Sequence, residues 1–280
     1  MDVILKVSTE DAKGLVAKVS HILYERDLNI EQNSEFVDKS ENRFYMRTEF
    51  SGGNVLGLLE DLQATLPKNA EISLLESRKK DIVVFCTKEN HCLGDLLLKH
   101  HSSELNANIK AVISNHENLR ELVGKFNVPY FYIPANENLP KEERIKSQEE
   151  AIFSLLAKYS FDYIVLAKYM RILSDSFCER FPNKIINIHH SFLPAFIGAN
   201  PYKQAFERGV KIIGATAHFA TPDLDCGPII SQDIINIDHT YTWQMLQRAG
   251  KNIERSTLAR ALDLVFDDRV FIYKNKTVIF

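Results

Sequence analysis

The sequence predicts an α/β protein built in two parts, and three observations carry that reading. Apolar periodicity over the first 77 residues runs strand, helix, strand, strand, helix, strand. From Ile82 onward, strands alternate with helices. Between the two lies Glu76-Ser-Arg-Lys-Lys-Asp81, too polar to join either core. The first order is βαββαβ, the ferredoxin-like split unit. The second is the pattern of a Rossmann-like, mostly parallel sheet covered by helices on both faces. The expected domains are 1–77, a linker with the start of a strand at 78–83, and 84–280.

In the first domain Val3 to Val7 is a strand, and Asp11-Ala-Lys-Gly14 is a turn that opens a helix. Leu15, Val16, Val19, Ile22 and Leu23 recur at helical spacing, so one stripe of that helix is buried against a sheet. Ile30 to Val37 and Arg43 to Phe50 form a hairpin around the polar stretch Asp38 to Asn42. A second helix covers about Val55 to Leu66, and Glu71 to Leu75 is the last strand.

In the second domain the strands are Ile82–Phe85, Ile109–Ile113, Tyr130–Ile133 and Tyr163–Ala167. The helices between them are Cys92–His100, Glu117–Phe126 and Ser147–Tyr159, with Asn136 to Lys146 as one long polar loop. The turn after the first strand, Cys86 to Gly94, holds one glycine and no G-x-G, so it supports neither a dinucleotide site nor a phosphate cradle. A long helix, Trp243 to Phe266, and a closing strand pair, Val270 to Tyr273 and Thr277 to Phe280, end the chain.

The chemistry gathers in Lys184 to Gly198. Ile185, Ile186 and Ile188 read as a strand buried on both faces, so the polar residues among them need a reason. Alternation sends Asn187 and His189 out on one face, at the carboxyl end of a strand where ligands of open α/β sheets sit. An amide and an imidazole there can hold a carbonyl oxygen and stabilise the charge it gains under nucleophilic attack. The plainer reading is that both only bond loop backbone. Lys211 to Phe219 is a further strand ending near His218, and Thr221 to Pro228 is a turn-rich loop carrying Asp223 and Asp225 before the strand at Ile229-Ile230.

Composition narrows the class. Charged residues make up 25% and the net charge is −3, so nothing favours nucleic acid or an anionic membrane as partner. No apolar run reaches the roughly 18 to 20 residues of a membrane span, and the start lacks a signal peptide's basic residues. The expected location is the cytoplasm. Cys86, Cys92, Cys178 and Cys226 form no C-x-x-C pair and are expected as reduced thiols.

Asn187-Ile-His189, Ser191-Phe-Leu-Pro194, Gly214-Ala-Thr-Ala-His218 and Leu224-Asp-Cys-Gly-Pro228 together resemble the signature of the folate-dependent formyltransferase-like family. The strings Val165 to Arg171, Phe181 to Gly198 and Gly209 to His218 resemble those members that hydrolyse 10-formyltetrahydrofolate. Two departures stand out: Asn200 where arginine is expected, and Cys226 where an acidic residue is expected. The first domain resembles the amino-acid-sensing ACT family in its element order, in Asp11 to Leu15 and in Leu28-Asn-Ile30.

The resemblance implies hydrolysis of 10-formyltetrahydrofolate to tetrahydrofolate and formate, which would balance the one-carbon pool and feed formate to purine biosynthesis. It implies Asp225 as general base, Asn187 and His189 at the oxyanion or the leaving nitrogen, and His218 as the group orienting Asp225 or water. Met170, Arg171, Leu173 and Phe219 would line the folate pocket, and His190 would face away and serve structure. No metal and no cofactor beyond the folate substrate is expected. In the ACT-like part, Asp11, Gly14, Leu15 and Asn29 would hold an effector such as glycine or methionine between paired copies, so a homo-oligomer is expected.

Three other functions compete. Formyl transfer to an amine acceptor is the alternative within the family; the missing glycine-rich turn and the lack of a basic domain after the catalytic one leave water as acceptor. A zinc hydrolase would use His189, His190, His218 and Cys226, but adjacent histidines diverge and no short-spaced ligand pair occurs. A non-catalytic amino-acid-binding regulator would be expected to have lost Asn187, His189 or Asp225, and all three remain.

Overall fold

A computed structural model of the chain describes residues 3–194 and 201–280. One unit comprises Met1–Arg78, Asp267–Tyr273 and Val278–Phe280; the other comprises Lys79–Phe266 and Lys274–Thr277.

The N-terminal unit runs β1 (Val3–Glu10), α1 (Leu15–Glu25), β2 (Leu28–Asp38), β3 (Arg43–Gly52), α2 (Leu58–Thr65) and β4 (Glu71–Glu76). Its four strands pair antiparallel in the order β2-β3-β1-β4, the split βαββαβ arrangement expected from sequence. Leu15, Val19, Ile22 and Leu23 of α1 and Leu58 and Leu62 of α2 pack on Leu5, Val7, Phe44, Met46 and Phe50. Gly14 precedes α1 with φ 85, a left-handed turn in which a side chain is strained.

The other face of this sheet explains a departure from the expected domains. Along β3, alternation puts Arg43, Tyr45 and Arg47 on that face, where all three are buried. The covering residues come from the far end of the chain. Phe271 stands edge-on to Tyr45, Lys6 Nζ donates to the Val270 carbonyl at 2.5 Å, and Arg47 donates to the carbonyls of Asp267 and Asp268 at 2.7 and 3.2 Å. The segments 267–273 and 278–280 therefore belong with the N-terminal sheet, although local pattern assigned them to 84–280.

The second unit runs β5 (Lys80–Cys86), α3 (His91–His101), β6 (Ala107–Ser114), α4 (Arg120–Gly124), β7 (Tyr130–Tyr132), α5 (Lys141–Leu156), β8 (Tyr163–Ala167), α6 (Asp175–Arg180), β9 (Ile185–His189), α7 (Pro201–Arg208), β10 (Ile212–Phe219), β11 (Ile229–Asn236) and α8 (Trp243–Phe266). The strands β12 (Val270–Tyr273) and β13 (Lys276–Ile279) close the chain as a pair. The seven-stranded sheet has the order β11-β10-β9-β8-β5-β6-β7, parallel except at the β9–β10 and β10–β11 pairings. Strand order reverses between β5 and β8, which opens a crevice beyond their carboxyl ends.

Residues of α5 and α6, among them Ile152, Leu156 and Phe177, pack on Val83, Phe85, Ile113, Ile164 and Ile185. The polar stretch read as a long loop is shorter than expected, because α5 already begins at Lys141. Pro140 fixes φ at −52 in front of it, and Glu142 and Glu143 sit in its first turn, where the helix dipole favours acidic side chains. Conversely, the helix expected over Glu117–Phe126 is only Arg120–Gly124. The short α6, capped by Ser174, was not legible in the sequence. All four cysteines are unpaired, with burial pushing the Cys86 and Cys178 thiols up to about 12 and about 11. No described helix is long and apolar enough to cross a membrane.

Candidate active site

Antiparallel pairing of β9 with β10 builds the centre. The register sets His218 directly across from Asn187 and Thr216 across from His189, so side chains from two strands meet on one face. Asn187 Nδ2 lies 3.2 Å from His218 Nε2, and His218 Nδ1 donates to the Phe219 carbonyl at 2.9 Å. With Nδ1 so used, Nε2 is left to accept from Asn187.

The loop after β10 folds Asp225 back onto both histidines. Its carboxylate is 3.2 Å from His189 Nδ1 and 3.7 Å from His218 Nε2. Burial alone would raise the Asp225 carboxyl, but the hydrogen bond from His189 and the adjoining His218 outweigh burial and hold it well below the usual carboxylate range. His189 spends Nδ1–H on Asp225, and its buried Nε2 has no partner among the described residues. An imidazole oriented by a carboxylate, with its second nitrogen unspent, is the arrangement of a proton-transfer group.

This cluster forms one wall of a cavity of about 310 Å³. Met170, Arg171 and Leu173 line it, with Ala220, Thr221, Pro222 and Leu224 from the loop after β10. Phe219 does not line it. Its side chain is 2% exposed and lies in the core, and it serves the site through its carbonyl. His190 also departs from expectation, because strand alternation ends at His189 and the next side chain turns back to line the cavity. Burial, with Lys168 nearby, pushes the His190 imidazole down to about 4.

Several supports were invisible to motif reading. Thr87, just beyond β5, accepts from the Met170 amide at 3.0 Å. Glu149 of α5 accepts from the Ser174 amide at 2.7 Å and so holds the far end of the same segment. Thr216 Oγ1 accepts from the Leu193 amide and donates to the Ser191 carbonyl, and Gln232 donates to the Leu193 carbonyl. These bonds fix the Ser191–Pro194 turn, which contains a cis Leu193–Pro194 bond. Residues 195–198 and Asn200 lie outside the described residues.

The zinc set is not assembled. Cys226 is exposed, while Nδ1 of His189 and of His218 are spent on Asp225 and a carbonyl. Among the described residues the grouping with ligand-like spacing is His91, Cys92 and Glu254. Glu254 takes His91 and Lys168, and burial pushes the Cys92 thiol up.

A family model described as formyl transferase matches residues 80–262. A formyltetrahydrofolate deformylase of Haemophilus influenzae is 53% identical over 277 residues, spanning 99% of this chain and 98% of its own. This chain belongs to that family. A formyltetrahydrofolate deformylase of Escherichia coli strain K12 is 51% identical over 99% of this chain and 97% of its own. The crystal structure of a formyltetrahydrofolate deformylase from Pseudomonas syringae superposes with a TM-score of 0.92 at 38% identity, covering 100% of this chain and 94% of that one. A glycinamide ribonucleotide transformylase from Symbiobacterium toebii matches with a TM-score of 0.67 at 27% identity, over 75% of this chain and 97% of its own. Similarity to the deformylases thus extends over both units, whereas the transformylase likeness covers three quarters of the chain.

The residues expected to hold an effector do not meet within one chain of this deformylase-family protein. Asp11 donates its amide to the Asn42 carbonyl beside the Glu10–Arg43 pairing, whereas Asn29 pairs with Ser51. At about 3.3 Å per residue along β3, those ends are roughly 26 Å apart. Leu15 is buried, and the Asn29 amide donates to Glu31.

Proposed function

We propose that the protein hydrolyses 10-formyltetrahydrofolate to tetrahydrofolate and formate in the cavity beside β9 and β10. The observation that carries this reading is the convergence of Asn187, His189, His218 and Asp225, with Nε2 of His189 unspent. Water attacks the formyl carbon, and His189 Nε2 takes its proton. The Asn187 amide donates to the developing oxyanion. The tetrahedral intermediate collapses as His189 returns the proton to N10, the C–N bond breaks, and formate leaves. Asp225, too acidic to be an efficient base itself, holds His189 in position and stabilises its charged form. Motif reading assigns proton abstraction to Asp225; the hydrogen bond from His189 and the nearby His218 favour this division instead. His218 accepts from Asn187 and stands beside Asp225. Water and these side chains supply every group the reaction uses, so the reading includes no metal or further cofactor.

The amine-transfer alternative has less support, because the deformylase relatives match the full length and the turn after β5 lacks a glycine-rich phosphate cradle. The formate released would serve purine biosynthesis, and tetrahydrofolate would return to the one-carbon pool. The N-terminal unit is read as an ACT-like sensor of glycine or methionine acting in a homo-oligomer; its split βαββαβ order supports this. The deciding experiment incubates pure protein with 10-formyltetrahydrofolate and no amine while formate is followed. Steady formate release is expected. Release only after an amine such as glycinamide is added, with formylated amine as product, would replace hydrolysis by transfer.

A further inference from the structure

Lys168 carries two costs at once. It stands one residue beyond β8 with φ 60, a backbone conformation that suits glycine better than a long side chain, and it is only 7% exposed. A buried ammonium in a left-handed backbone needs a reason, and its location at the catalytic cavity beside His189 and His190 points to one.

The charge is anchored from behind. Lys168 Nζ lies 3.2 Å from Oε2 of Glu254, a residue of α8 that is 1% exposed. Glu254 Oε2 is also 2.8 Å from His91 Nε2, and Oε1 accepts from the Tyr202 hydroxyl. Burial would raise the Glu254 carboxyl, but His91, Lys168 and Tyr202 hold it down to about 2, so the anchor is a carboxylate. An ammonium offers three donors, and Glu254 is the one acceptor that Lys168 meets among the described residues. Two donors remain unspent among the described residues, on a side chain whose residue lines the cavity.

The proposed reaction supplies an acceptor of matching shape. Water adds its oxygen to the formyl carbon, the C–N bond breaks, N10 gains one proton, and the acid formed loses another to give formate. An anion with two oxygens is thus released near the Asp225 carboxylate, which repels it. Arg171, which also lines the cavity, is engaged by Glu137 at 2.9 Å.

We propose that Lys168, anchored by Glu254, forms a subsite for the formate product, holding the small carboxylate away from Asp225 until it leaves. The proposal rests on the deformylase reading for the identity of the product, but formate binding can be measured without turnover.

The test is product inhibition by sodium formate, with sodium chloride at equal ionic strength as control, joined to the formate-induced rise in melting temperature. Wild type should be inhibited and stabilised by formate. Lys168→Met should raise the inhibition constant about tenfold or more, the scale of one lost charged hydrogen-bond partner, while KM for the folate changes little. Lys168→Arg should restore most of the effect. Glu254→Gln separates a binding role from a structural one, because removing the competing carboxylate should tighten formate. Equal formate inhibition of wild type and Lys168→Met overturns the subsite. Should Lys168→Met not fold, Glu254→Gln decides: tighter formate supports the proposal, and unchanged or weaker formate overturns it. Failure of wild type to hydrolyse the folate would instead remove the deformylase reading, and the thermal-shift arm would still report on formate.

Discussion

At the scale of single residues, neighbouring groups of the proposed site hold different protonation. Asp225 stays ionised because His189 donates to it and His218 stands beside it, and an amide in its place keeps the shape but loses the charge beside His189. Asp225→Asn should lower kcat by about 10² to 10⁴ with folate binding largely intact, as read by stopped formate release and a folate titration. A variant with most of its turnover would remove Asp225 from the mechanism. His190 is the opposite case. Lys168, His189, Asp225, Glu254 and Tyr202 surround it, and burial with the Lys168 charge keeps its ring neutral down to about 4. The unfolded chain protonates that histidine near its ordinary value of about 6.5. Between those values the unfolded state binds the extra proton, so folding stability falls as pH drops from about 6.5 to 4 and is flat, for this group, above. His190→Asn should therefore show a smaller fall in melting temperature across that window than wild type; an unchanged slope would mean that other groups set it.

At the scale of elements, the loop from Phe219 to Pro228 decides whether Asp225 reaches the histidines. Phe219 N donates to the Pro228 carbonyl at 2.9 Å, closing the loop, and a Cβ on Gly227 would fall 1.8 Å from the Phe219 carbonyl oxygen. Backbone cannot yield as a flexible side chain can, so Gly227→Ala must open the loop. Misplacing a reacting group by about 1 Å can cost 10²-fold, and a loss of kcat of that order is expected while the far-ultraviolet circular dichroism stays native. Near wild-type turnover would show that the loop is more tolerant than its packing suggests.

For the whole molecule, the chain's two ends share one unit, and this changes how control must be tested. Removing Met1 to Ser77 would strip Tyr45 and Arg47 from the residues they cover, leaving Val270 and Phe271 exposed. The truncated protein is therefore expected to aggregate on gel filtration, and a well-behaved monomer would contradict that packing. The sensor reading is better tested on the full chain. Millimolar glycine or methionine should change the hydrolysis rate several-fold, a size in keeping with typical couplings of about 1 to 3 kcal/mol. Identical rates and melting temperatures with and without either amino acid would leave the N-terminal unit as an assembly element.

Local pattern was enough for most of the architecture. Period-two and helical spacing set the βαββαβ order and the alternating strands, because both periodicities are properties of consecutive residues. The placement of Asn187 and His189 on one face followed from the same alternation, and the Asp225 loop from its turn residues. Where side chains leave the regular elements, pattern failed: His190 turned into the cavity after β9 ended, and Phe219 went into the core. Glu254 looked like one more polar position of a long helix, and Lys168 like an ordinary charge after a strand. Their pairing joins residues 86 positions apart in sequence, as the joining of Phe271 to Tyr45 spans 226. Such contacts depend on which elements the sheet order brings side by side, a property of the folded chain that periodicity in the sequence does not encode.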